Sequence, residues 1–166
     1  STCDDTPQEA AVLPEGACNN PKQRDSDAMD VLGHGTHVAG TIGAIGNNDV
    51  GVTGINWNVT ILAVKALGAG GTSDFSDVLD GIQYAADNGA KVINLSLGGS
   101  ATQPCTAPDL APVRDIINYA RGKGAVIVAA AGNDGHNVTN DLLGSCPGVI
   151  VVGASTKSDS AASFSN

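Results

Sequence analysis

Apolar positions along the chain fall into two patterns that alternate. Phe75, Val78, Leu79, Ile82, Ala85 and Ala86 recur at spacings of three and four, which predicts an amphipathic helix that Ser73 or Asp74 can cap and Gly89 can end. Leu110, Val113, Ile116, Ile117 and Ala120 predict a second. Val38, Ile42 and Ile45, in a small-residue run from Gly33, predict a shorter helix that starts at or near His34 and stops at the loop signal Gly46-Asn47-Asn48-Asp49. Between and after these helices lie short apolar runs at 58–65, 91–97, 125–131 and 149–152, each of strand length. A glycine-rich loop at 68–73 follows the first of them.

Strands that are apolar on both faces and alternate with helices indicate an α/β fold: a mostly parallel sheet flanked by helices on both sides, a three-layer sandwich. In such sheets the chemistry sits at the carboxyl edge. Each predicted strand gives way there to Gly, Ser or Asn, which leaves backbone free for close approach. Residues 1–32 carry neither period and read as an irregular, acidic surface segment.

At 166 residues the length suits one domain. The net charge of -9, with eight scattered Lys and Arg, leaves no basic surface for nucleic acid. No apolar run approaches the roughly 20 residues of a membrane helix, so no membrane partner is expected. Cys3, Cys18, Cys105 and Cys146 lack zinc-site spacing, and two disulfides are the better reading than four free thiols. A Cys3–Cys18 bridge would staple the first segment, a loop size worth about 3 kcal/mol by chain entropy. The even cysteine count points to a secreted protein, with any export signal removed or lying outside the sequence.

His34 and His37, three apart, admit a metal pair, a catalytic histidine beside a packed one, or two structural histidines. The Glu of His-Glu-x-x-His zinc sites is missing. Gly33 and Gly35 flank His34, whereas His37 precedes an apolar Val38-Ala39 face. An exposed catalytic His34 and a buried His37 is the preferred split.

Gly33-His34-Gly35-Thr36-His37-Val38-Ala39-Gly40-Thr41 resembles the histidine motif of the subtilisin-like serine proteases. In order behind it, Asn94-Leu95-Ser96-Leu97-Gly98-Gly99 is similar to that family's substrate-binding strand. Ala129-Ala130-Ala131-Gly132-Asn133 is similar to the strand carrying its oxyanion asparagine. Ala161 to Ser165 resembles the segment before its nucleophile region. The resemblance implies that 33–166 is the central part of a peptidase domain, incomplete at both ends.

It further implies His34 as general base and Asn133 as oxyanion donor, a donor whose loss costs about 3–4 kcal/mol of barrier in subtilisin itself. Gly132 would give room for that approach. Ser96, Leu97 and Gly98 on one side, and Gly71, Thr72 and Ser73 on the other, would pair with an extended polypeptide substrate as an added strand. The run from Ile45 to Val52 resembles the family's calcium loop. Asn48 and the carbonyls of Ile45, Val50 and Val52 are its candidate ligands, with Asn47 as a rival. Asp134 would lie near the mouth of the first specificity pocket. A Cys105–Cys146 bridge would brace that pocket. Asn58-Val59-Thr60 and Asn137-Val138-Thr139 fit the glycosylation pattern, and no role is assigned to them.

The family's orienting Asp and its nucleophile motif Gly-Thr-Ser-Met-Ala have no confident counterpart. Asp4 and Asp5 lack a preceding apolar strand. Gly71-Thr72-Ser73 is followed by Asp74-Phe75 and comes before the oxyanion segment, so it is a false match to the nucleophile. The expectation is a serine endopeptidase present as a partial catalytic domain, completed by further N- and C-terminal parts and inactive by itself. A non-catalytic peptide-binding module that keeps the cleft is the alternative. Absent parts of the packing would leave core surface exposed.

Overall fold

A computed structural model describes residues 28–166. The expected Cys3–Cys18 bridge, Asp4 and Asp5 lie outside the described residues. Those described fall into two compact units divided between Gly81 and Ile82.

In the unit up to Gly81, helix α1 spans His34–Gly43. Its last carbonyls are satisfied by a returning segment: the amides of Gly54, Ile55 and Asn56 donate to Ala44, Thr41 and Ile42 at 2.9, 3.1 and 2.9 Å. The loop between Ala44 and Gly54 is thereby pinned at its base. The run at 58–65 differs from expectation. It is not part of the described sheet, and Val59, Ile61, Leu62 and Val64 are exposed. Its side chains lie against two glycines, Val59 and Ile61 against Gly43 and Val64 against Gly81. An apolar run becomes a strand only when its backbone finds a ladder partner, and among the described residues it makes no such pairing.

Helix α2 (Phe75–Asp87) spans the division. Ser73 does not simply cap it: its hydroxyl donates to the Asp77 carboxylate in the first turn, at 2.6 Å. Gly89 ends the helix as expected, at φ 80°. Gly89 N–H donates to Ala86 and Ala90 N–H to Ala85, the two bonds of a Schellman cap. Helix α3 (Ala111–Gly122) ends the same way, with Gly124 at φ 88° and bonds from Gly124 to Arg121 and from Ala125 to Ala120. Only glycine adopts such a φ without strain. Each cap turns the chain directly into a strand: β1 (Val92–Leu95) after α2 and β2 (Val126–Ala130) after α3.

With β3 (Val149–Val152), these strands form a parallel sheet of order β1-β2-β3. One face carries the core of this unit. Ile93, Leu95, Ile127 and Ala129 are buried, and α3 packs on β2 with Val113, Ile117 and Ala120. The opposite face carries Val92, Val126, Ile150 and Val152, all exposed, so one face has a helical cover among the described residues.

Cys105 and Cys146 are disulfide-bonded and buried, with Cα atoms 4.9 Å apart. The segment around Cys105 is anchored twice more. The Arg114 guanidinium donates to the carbonyls of Cys105 and Ala107 at 2.6 and 2.5 Å, and Cys105 N–H donates to Ser145 Oγ at 2.9 Å. With a sequence separation of 41, the chain-entropy description assigns the bridge about 4 kcal/mol. The Cys105→Ala/Cys146→Ala double variant is therefore expected to lower the urea midpoint by that amount of stability, and reductant to have the same effect on the parent protein.

Candidate active site

The register of the sheet decides what lies at its carboxyl edge. Leu95 pairs with Ala129 and Ala130 with Val152, so the chains leaving all three strands emerge on one side. Ser96, Leu97 and Gly98 leave β1 there, and Gly132 and Asn133 leave β2. Beyond Gly98 the chain is zipped to a later segment. Leu142 N–H donates to Gly99 at 2.9 Å, Ala101 N–H donates to Asn140 at 2.8 Å, and Ser100 and Asp141 form an antiparallel bridge. The Cys105–Cys146 disulfide closes the same two segments farther on.

Gly98, Gly132 and Asn133 are thus brought together around a cavity of about 220 Å³, joined by Gly99, Ser100, Asp134, Asn140, Asp141 and Asn166. Asp134 lines the cavity and is exposed. Asn133 is exposed, and its carboxamide makes no hydrogen bond among the described residues. It is a free donor beside a cavity.

Gly132 sits at φ 101°, and a Cβ there would collide with the side-chain amide of Asn166. Asn166 holds this loop from three sides. Its Oδ1 accepts from the amides of Asp134 (3.0 Å) and His136 (2.9 Å), and its own N–H donates to the Gly132 carbonyl at 3.3 Å. Sequence reasoning stopped at Ser165 and missed this residue, although the resemblance of 161–165 pointed to its neighbourhood. Asp141 was missed as well, inside what reads as an ordinary turn.

In the other unit, His34 opens α1 and is exposed. The helix start is unusual because Gly33, at the N-cap, has φ 90° and no side chain to cap with. Asp30 supplies the cap from outside the helix. One carboxylate oxygen accepts from Thr36 N–H at 2.7 Å, the other from Gly33 and Leu32 N–H at 2.8 and 3.0 Å. The backbone bond from Thr36 is the largest cause, followed by that from Gly33, that pulls the Asp30 carboxyl from 3.8 to about 2. The spacing Asp30-x-x-Gly33 ahead of a helix was the signal for it.

His37 is corrected: it is exposed, and α1 contains no buried residue. The helix presents Val38, Ala39, Ile42 and Gly43 only half-buried, so the packing that would enclose an imidazole at His37 is not made.

Gly71, at φ 77°, lies in a tight turn closed by bonds from Gly68 to Thr72 and from Gly71 to Gly68. Its backbone lies against the Leu32 side chain, which brings this turn to the segment just before His34. Thr72 and Ser73 are exposed. His34 and Gly71–Ser73 therefore share one unit, and Ser96–Gly98, Gly132 and Asn133 share the other.

In the loop from Ile45 to Val52, the carbonyls of Ile45, Val50 and Val52 accept no hydrogen bond among the described residues. Asn48 Oδ1 accepts from Val50 N–H at 3.2 Å. Asn47, Asp49 and Gly51 all have positive φ, at 57°, 55° and 60°, which curls the loop on itself.

Comparison with known proteins gives a consistent result. The sequence matches the subtilase family over residues 10–166. It is 49% identical over 142 residues to a thermophilic serine proteinase of Bacillus sp. (strain AK1), covering 86% of this chain and 33% of that protein. It is 43% identical over 143 residues to a cell wall-associated protease of Bacillus subtilis (strain 168), covering 86% of this chain and 15% of that protein. Among solved structures, a cold adapted subtilisin-like serine proteinase superposes with a TM-score of 0.73 at 35% identity, covering 86% of this chain and 48% of that one. The chain thus spans between about a seventh and a half of these relatives' length.

The Asp30 cap has a pH signature. A carboxyl depressed in the folded state stabilises the fold above its ordinary value of 3.8, and that contribution is lost as pH falls through about 2. The Thr36 amide is therefore expected to lose its hydrogen-exchange protection between about pH 4 and 2, and Asp30→Ala to remove that protection at neutral pH.

Proposed function

The chain belongs to the subtilase family, and from that premise we propose that it supplies the general base, the oxyanion donor and the substrate edge of a serine endopeptidase. The observation that carries this reading is Asn133, an unengaged carboxamide held over a glycine-walled cavity at the sheet's carboxyl edge. In the proposed reaction, the His34 imidazole takes the proton from an attacking serine hydroxyl and returns it to the leaving amine. The oxygen of the scissile carbonyl gains negative charge as its carbon becomes tetrahedral. Asn133 donates its side-chain N–H to that oxygen, an interaction worth most in the transition state.

The substrate is an extended polypeptide. Its backbone pairs with Ser96–Gly98, so peptides of varied sequence enter as an added strand, and Gly71–Ser73 are assigned as further substrate-binding residues. Residues 33–166 then form the central part of the catalytic domain, preceded by the acidic segment. The nucleophile and the orienting carboxylate come from further parts of that domain, and the 166-residue chain alone does not hydrolyse peptides.

The loop from Ile45 to Val52 fits a structural calcium ion. Three unengaged carbonyls and the Asn48 side-chain oxygen, which keeps a second lone pair, are hard neutral donors of the type calcium takes. The pinned base between Ala44 and Gly54 orders them beforehand. The buried disulfide suits an oxidising compartment, and one relative is a cell wall-associated protease; the protein is assigned to the cell exterior.

In the protein that carries this chain, Asn133→Ala is expected to lower kcat about 10²–10³-fold with little change in KM, as loss of one such donor does in subtilisin. A fluorophosphonate probe is expected to leave the isolated 166-residue chain unlabelled, and labelling would overturn its assignment as a partial domain. Peptide binding without turnover by the natural product would instead identify a non-catalytic binding module. Calcium titration is expected to raise the melting temperature of the parent protein, with the rise removed by Asn48→Ala.

A further inference from the structure

Asp141 is the buried charged residue among those described, with 4% of its surface exposed. Burial of a carboxylate is costly unless a cation or several donors compensate it. Here compensation is partial. Oδ1 accepts from Gly144 N–H at 2.6 Å, whereas Oδ2 accepts no hydrogen bond among the described residues. No Lys, Arg or His among them forms an ion pair with it.

The position of this half-satisfied carboxylate is fixed by backbone. Asp141 N–H donates to Val138, its carbonyl accepts from Ser145, and its bridge to Ser100 holds it against the chain leaving β1. Oδ2 lies over Gly98, where a Cβ would meet it at 2.5 Å. The absence of a side chain at Gly98 is what leaves room for the carboxylate. Asp141 lines the same 220 Å³ cavity as Gly98, Gly99, Asn133 and Asp134, a space well above the roughly 10–15 Å³ that one water needs.

Taking this cavity as the first specificity pocket that the family resemblance implies, we propose that Asp141 makes it select lysine or arginine next to the scissile bond. The proposal rests on the reading of Asn133 as oxyanion donor, because a carbonyl held there presents its own residue's side chain to the cavity beside it. The glycine walls admit a long unbranched stem, and Asp141 offers its cationic head a buried counter-charge. Asp134, exposed on the same cavity, adds attraction that solvent screens. The resemblance puts Asp134 near the mouth of this pocket, and the buried Asp141 offers the less screened charge.

The test is a fluorescence titration of the chain with p-aminobenzamidine, a cationic side-chain analogue, competed with benzamidine and with its neutral isostere benzamide. Saturable binding is expected, with benzamide weaker than benzamidine by about tenfold or more, as removal of a buried charge partner requires. Asp141→Asn, which keeps the acceptor for Gly144 N–H, is expected to weaken the cationic probe by a similar factor. Asp134→Asn is expected to weaken it by less than about threefold. Absence of saturable binding, equal binding of benzamide, or an Asp141→Asn variant that melts normally and binds like the parent would each overturn the proposal. The benzamidine–benzamide comparison needs no variant and so decides even if Asp141→Asn fails to fold. None of these readouts needs turnover, so their failure is distinct from failure of the protease reading, which the Asn133→Ala kinetics examine.

Discussion

The parallel register that sets Leu95 against Ala129 is the constraint on which the proposed site depends. A slip of β1 or β2 by one residue would turn its buried pair, Ile93 and Leu95 or Ile127 and Ala129, from the covered face to the open one, so burial of those side chains holds the register. The register in turn places Gly98 and Asn133, 35 positions apart in the chain, on one cavity. Two glycine-ended helices prepare it. Gly89 and Gly124 end α2 and α3 with the same pair of bonds, and each delivers the next strand after one further turn of chain.

Below the edge, ordering passes from backbone to side chain. The Ser100–Asp141 bridge and the Cys105–Cys146 disulfide tie the segment after β1 to the segment after β2. Asn166 ties the end of the described chain to Gly132 and its loop. The two groups that carry the proposed chemistry are left free: Asn133 has no partner among the described residues, and His34 is exposed at a helix start whose capping is done by Asp30. Separating the side chains that hold backbone from those that react keeps the reactive ones available to substrate.

What was legible in the sequence follows from period and glycine. Helices α1, α2 and α3 and strands β1, β2 and β3 were each visible because burial imposes their spacing. The run at 58–65 has the composition of a strand, yet composition says nothing about whether a ladder partner exists, and here it lies along Gly43 and Gly81 instead. His37 was expected in the core from its apolar neighbours, whereas α1 is only half covered. Asp30, Asp141 and Asn166 were missed for a different reason. Each side chain accepts from backbone amides near or in other segments, and such bonds leave no period in the sequence. The Cys105–Cys146 pairing, weighed beforehand only for what it would brace, is present; its support by Arg114 and Ser145 could not be read from the sequence.

The central claim is that an extended peptide adds to the edge formed by Ser96–Gly98, with the scissile carbonyl at Asn133. It is tested most directly by following the amide resonances of the protein during titration with a short extended peptide ending in lysine aldehyde. Shifts concentrated at Ser96–Gly98, Gly132–Asp134 and Asp141 are expected. Shifts confined to the open sheet face around Val92, Val126 and Ile150, with the carboxyl edge unmoved, would contradict it.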